Sequence, residues 1–197
     1  MTLILASSSV IRHQMLQAAG VPVVVKPGRI DESTILQSLH AEGARPRDIA
    51  DALAELKARK VSERNRDAFV LGCDQVLDCE GTIYSKPTSP DQATDQLRQL
   101  RGKTHKLHSA AVIYHEGQPV WRHVGEARLT MRMFSDTYLS DYVSRNWESI
   151  RHSVGAYKLE EEGVRLFSAV TGDHFTVLGL PLIPLLGYLG DRGLIAS

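Results

Sequence analysis

The sequence predicts an α/β fold, and three observations carry that expectation. Short apolar runs of strand length recur at Leu3-Ile4-Leu5, Val21 to Val25 and Phe69-Val70-Leu71. Between them lie stretches with apolar residues at helical spacing, such as Ile49, Leu53 and Leu56. Several apolar runs end abruptly in polar or glycine-rich junctions, as at Ala6-Ser7-Ser8-Ser9 and Gly72-Cys73-Asp74-Gln75. In an open α/β sheet such strand ends line the crevice where ligands bind.

In chain order, the first strand leads through Ser7, Ser8 and Ser9 into a helix carrying Ile11, Met15, Leu16 and Ala19, stopped by Gly20. A strand, a serine-rich turn and a helix start make a natural anion site, because free N–H groups, hydroxyls and the positive dipole end converge. Arg12, one turn in, would add a bidentate cation, although for the turn by itself the favoured reading is that the serines merely cap and Arg12 is a solvated surface residue. Past the second strand, Asp31 and Glu32 are either candidate ligands for a hard cation or the start of a helix capped by Asp31 or Ser33. Arg45-Pro46 opens a longer helix, with Lys57 at the edge of its apolar stripe. A lysine there is ordinarily a snorkelling surface side chain, and becomes a phosphate ligand only beside a cleft.

The stretch from Phe69 to Pro87 is the centre of interest. Its strand is read as breaking at Asp74 and resuming at Val76, with a turn at Glu80-Gly81 and a close at Lys86-Pro87. A carboxylate and an ammonium are thereby delivered near the ends of adjacent extended segments. Ser89-Pro90-Asp91 starts the next helix, and Glu116-Gly117 joins two long strands as a hairpin. Ser135 caps a further helix, Asn146 to Ser153 reads as a loop, His174 to Leu178 as a strand, and Leu182 to Leu189 as a closing apolar helix.

The length of 197 residues suits one domain, 1–197, large enough to bury a core. Lys plus Arg and Asp plus Glu balance at 23 each, so no global field draws the chain to nucleic acid or a membrane. No apolar run reaches membrane-spanning length and the first ten residues lack a basic leader, so the expectation is cytoplasmic. Cys73 and Cys79 read as reduced core residues. His105, His108, His115 and His123 lack ligand spacing on one face, which argues against zinc.

With carboxylates suited to a divalent cation and basic and hydroxyl groups suited to phosphate, the residues favour phosphate chemistry. At this point the sequence resembles the Maf family of nucleoside triphosphate pyrophosphatases along nearly its entire length. The carrying segments are LILASSSVIR at 3–12, Asp31-Glu32, Lys57-Ala58, LGCDQVL at 71–77, Lys86-Pro87, GKTH at 102–105, VGAYKLE at 154–160 and VLGLPL at 177–182. The resemblance implies a Maf/ITPase-like mixed twisted sheet flanked by helices, in two lobes around a central cleft. It implies hydrolysis between the α and β phosphates of a nucleoside triphosphate, giving a monophosphate and pyrophosphate with Mg²⁺ or Mn²⁺, in a homodimer. Asp74 matches the family's general base and Glu32 a carboxylate that helps hold metal beside Asp74. Ser7, Arg12, Lys57 and Lys86 match the triphosphate-binding groups, with Lys86 also acting in catalysis.

Three positions bear on the base. Gln75 and Glu160 resemble the branch that prefers 7-methyl-GTP, while Ile11 replaces the second arginine of the dTTP/UTP branch and the tryptophan common in the 7-methyl-GTP branch. A carboxylate offers two acceptors, which suits the N1–H and amine of a guanine edge and repels the acceptors of a pyrimidine dione. The alternatives are a dTTP, UTP or other modified-nucleotide pyrophosphatase, or a nucleotide-binding regulator of septum formation and cell division without turnover.

Overall fold

The computed structural model describes residues 2–196. The strands are β1 (Leu3–Leu5), β2 (Val24–Val25), β3 (Phe69–Cys79), β4 (Thr82–Tyr84), β5 (Thr104–His115), β6 (Gln118–Met131) and β7 (Phe167–Thr171). The helices are α1 (Val10–Ala18), α2 (Glu32–Ala41), α3 (Pro46–Ser62), α4 (Pro90–Leu100), α5 (Asp136–Ile150), α6 (His174–Val177) and α7 (Leu182–Asp191). The strands form one mixed sheet in the order β2-β1-β3-β5-β6-β7, with β4 also paired to β3. The expected α/β class is what the chain adopts. No helix among the described residues is long and apolar enough to cross a membrane.

The chain divides into two compact units, and β3, β5 and β6 contribute to both. The first unit comprises Met1–Gln75, His108–Gly125 and Asp173–Ser197. Here β1 pairs in parallel with β2 and β3, with Ile4 opposite Val24 and Leu5 opposite Leu71. Parallel strands covered on both faces read as unbroken apolar runs, which is why Leu3-Ile4-Leu5 and Phe69-Val70-Leu71 show no alternation. Leu5, Leu16, Leu71, Ile113, Leu180 and Leu185 are fully buried in one cluster. Each contributes about 1.5–3 kcal/mol of transfer free energy. Ser9 caps α1 and Asp31 caps α2, so the helix-start reading of the Asp31-Glu32 pair holds.

The second unit comprises Val76–Leu107 and Glu126–Gly172. Its β3–β4 hairpin turns at Glu80 and Gly81, both at positive φ, and β7 pairs antiparallel with β6. Ser89 and Ser135 cap α4 and α5, as the sequence predicts. His105 is buried and hydrogen-bonded to Tyr157 at 2.7 Å, with Phe167 beside both rings. Cys79 here, and Cys73 in the first unit, are buried free thiols.

Four expectations are corrected. The strand through Asp74 does not break, because β3 runs uninterrupted from Phe69 to Cys79. The second strand is confined to Val24–Val25. The predicted loop from Asn146 is largely helix, since α5 continues to Ile150 and buries that residue. His174 to Leu178 is not a strand but the short helix α6, started by Asp173, whose carboxylate accepts from Thr176 N.

Candidate active site

Residues from four separate stretches of the first unit converge just past the end of β1 and beside the middle of β3. Ser7, just past β1, is buried, and its Oγ accepts from Ser9 N at 3.2 Å and from Arg12 Nη1 at 3.2 Å. Arg12 is therefore not the solvated surface residue that its position allows. It is 9% exposed, and it also donates from Nη1 to Cys73 O at 3.2 Å and from Nε to Gly179 O at 2.7 Å. The fork is held in one orientation while Nη2 takes part in none of these hydrogen bonds. A fixed guanidinium with donors to spare suits a phosphate oxygen.

Lys57 departs further from its expectation. It is buried rather than snorkelling, and its Nζ lies 2.5 Å from Asp74 Oδ1 and 2.7 Å from Glu32 Oε1. Two backbone approaches make this possible. A Cβ at Gly72 would fall 2.1 Å from Ala54 O and 2.6 Å from Ala58 N, so only glycine lets β3 lie this close to α3. A Cβ at Gly28 would fall 2.6 Å from Lys57 O, so the loop leading to Glu32 rests directly on the same helix. Both glycines, and the carbonyls of Cys73 and Gly179, escape a reading based on side-chain chemistry. The signal available was a glycine inside an apolar strand, which marks a close approach of backbone.

Burial pushes the Asp74 carboxyl above its ordinary range, opposed by the Lys57 and Arg12 charges and reinforced by Glu32. A carboxyl displaced toward neutral pH is a stronger base than a solvated one. Asp74 Oδ2 takes part in none of these bonds and is left to accept a proton. Burial also pushes the neighbouring Cys73 thiol up to about 11, which removes it as a nucleophile at neutral pH.

The remaining candidates occupy different settings. Gln75, half-buried, points its amide nitrogen at Ser109 Oγ, Thr176 O and Val177 O. Ile11 packs partly buried against the core cluster. Lys86 and Glu160 both lie exposed in the second unit.

As a cation site, the donor set is small but chemically apt. Among the described residues no group of three or more His, Cys, Asp or Glu side chains gathers into a metal cage. Glu32 and Asp74 do meet, on the Lys57 ammonium. Two carboxylates without a full cage fit Mg²⁺, which keeps waters and takes substrate phosphate oxygens as further ligands.

The chain is similar to known proteins along nearly its whole length. The chain is 62% identical over 193 residues to the nucleoside triphosphate pyrophosphatase of Ruegeria pomeroyi, covering 98% of this chain and 97% of that protein. It is 43% identical over 193 residues to the 7-methyl-GTP pyrophosphatase of Rhizobium meliloti, again covering 98% and 97%. A solved nucleoside-triphosphatase / dITP/XTP pyrophosphatase from Mycobacterium abscessus overlays with a TM-score of 0.46 at 14% identity, covering 98% of this chain and 96% of that one. The family model described as Maf-like protein matches residues 2–192, and the chain belongs to that family.

Proposed function

We propose that this protein is a nucleoside triphosphate pyrophosphatase, cleaving between the α and β phosphates to release a monophosphate and pyrophosphate. The observation that carries the reading is the cluster of Ser7, Arg12, Lys57, Glu32 and Asp74, in which two cations and two carboxylates share one small region. The names of relatives at 62% and 60% identity support the same activity.

Asp74 accepts the proton of the attacking water through Oδ2, while Lys57 holds Oδ1 and fixes the plane of the carboxylate. Arg12 and Ser7 bind phosphate oxygens and counter the charge that grows on the leaving pyrophosphate. The resemblance to the family would give Lys86, exposed in the second unit, a phosphate-binding role. Glu32 and Asp74 would hold Mg²⁺ or Mn²⁺, which when bound polarises a phosphoryl oxygen and neutralises phosphate charge.

For the base, the reading is 7-methyl-GTP, supported by Glu160 and by the name of the Rhizobium meliloti relative. An exposed carboxylate at Glu160 gains Coulomb energy from the cationic methylated ring and accepts from its N1–H and amine. Release of pyrophosphate from 7-methyl-GTP, GTP, dTTP, UTP, CTP and ATP with Mg²⁺ tests both levels. Preference for 7-methyl-GTP supports the full reading. Preference for dTTP or UTP keeps the chemistry and overturns the base. No release from any nucleotide overturns the activity.

A further inference from the structure

Arg12 is fixed by a turn that is itself fixed from elsewhere. Its Nε donates to Gly179 O at 2.7 Å, and Gly179 sits at φ +98°. A Cβ there would lie 3.1 Å from Nη2 and 3.2 Å from Nε, in a conformation that L side chains rarely adopt. The position of that carbonyl therefore depends on the segment just before it, α6 and its C-terminal turn.

That segment is held by buried polar groups. Gln75 Nε2 lies 2.9 Å from Val177 O, 3.2 Å from Thr176 O and 2.9 Å from Ser109 Oγ. Ser109, fully buried, donates its own proton to Thr176 O at 2.7 Å. On the other side, Asp173 Oδ2 accepts from Thr176 N at 2.8 Å and from Thr176 Oγ1 at 3.0 Å. The amide of Gln75 has two protons and already faces three acceptors, so none remains to donate to a nucleobase.

We propose that Gln75 and Ser109 are positioning residues for Arg12, acting on the phosphate end of the substrate through the Thr176–Gly179 turn, and that the Gln75 amide nitrogen does not read the base. The proposal rests on the assignment of Arg12 as a phosphate ligand. It separates cleanly from a base-reading role, because inorganic pyrophosphate has no base.

Gln75→Ala and Ser109→Ala, alone and in an Arg12→Ala background, are the variants to compare. The readouts are inorganic pyrophosphate binding by calorimetry with Mg²⁺, and KM and kcat for monophosphate formation from each nucleotide. Loss of one hydrogen-bonded support should weaken pyrophosphate binding about tenfold. It should raise KM by a common factor for every nucleotide, keep the ratios among bases unchanged, and add nothing once Arg12 is absent. Unchanged pyrophosphate affinity with altered base ratios overturns the proposal, as does an undiminished effect in the Arg12→Ala background. Ser109→Ala removes a single oxygen and keeps the comparison available if Gln75→Ala folds poorly. The NMR signal of the Arg12 Nε–H gives a test independent of turnover. Its displacement in Ser109→Ala supports the positioning role even if wild-type protein releases no pyrophosphate, whereas an unmoved signal sinks it.

Discussion

Lys57→Met removes the ammonium that two carboxylates share, and its cost can be worked from the geometry. The Lys57 and Asp74 side chains are 8% and 9% exposed, so their pair is little screened by solvent. Removing one partner of such a buried pair costs about 3–5 kcal/mol, because the other charge is left uncompensated. The Glu32 side chain is 46% exposed, so losing its contact adds at most about 1 kcal/mol. The pH dependence has a definite sign. Asp74 is already raised in the folded protein by burial, so as pH climbs the unfolded chain releases its proton first and stability falls. Without Lys57 the folded carboxyl moves further up, so the penalty is small near pH 4 and grows toward neutrality. Urea unfolding at pH 4, 5, 6 and 7, with the Asp74→Asn and double variants completing a cycle, measures this. A coupling below about 0.5 kcal/mol at pH 7, or a penalty independent of pH, would refute the argument.

Four shorter expectations follow from the same geometry. Asp74→Asn should reduce turnover by at least about a hundredfold while pyrophosphate affinity stays within a few-fold, since it removes the base and keeps the shape; equal losses of rate and affinity would contradict that role. Gly72→Ala should cost about 1–3 kcal/mol and lower Tm by roughly 2–12 °C, because its Cβ meets the backbone of α3 and pushes Lys57 away from Asp74; scanning calorimetry with a parallel rate assay checks both effects. Glu160→Gln should reduce kcat/KM for 7-methyl-GTP about tenfold or more relative to dTTP, and a panel with unchanged ratios would remove Glu160 from the base site. His105 is held neutral by burial at about 4 against 6.5, so acidification between those values protonates the unfolded chain first and removes roughly 3 kcal/mol, a loss absent from His105→Gln in melts across that range.

What could be read from the sequence divides along the range of the interactions involved. The caps at Ser9, Ser89 and Ser135 act within three residues, so their helices were legible from local pattern. The buried strands of the first unit were legible because covered faces demand unbroken apolar runs. Asp74 was legible as chemistry but not as strand, since a carboxylate interrupts an apolar pattern unless its partner is known. That partner, Lys57, lies 17 residues earlier on another element, and Gly72 is what allows the two to meet. The segment His174 to Leu178 carries Phe175, Val177 and Leu178, which read as strand, whereas Asp173 and the distant Gln75 and Ser109 satisfy a helical turn instead. Residue type alone left Arg12 and Lys57 as surface side chains, the family resemblance made them site candidates, and their geometry is set by contacts that no local pattern records.

The charge of the cluster joins these points into one account of how it would work. Arg12 and Lys57 offset Glu32 and Asp74, so the region is close to neutral before substrate arrives. A triphosphate brings several negative charges, and a neutral cluster offers it little net attraction. Glu32 and Asp74 would hold a divalent cation, whose charge would offset that of the phosphates. Lys57, held at Asp74 Oδ1, would keep that carboxylate in one orientation and leave Oδ2 to the water.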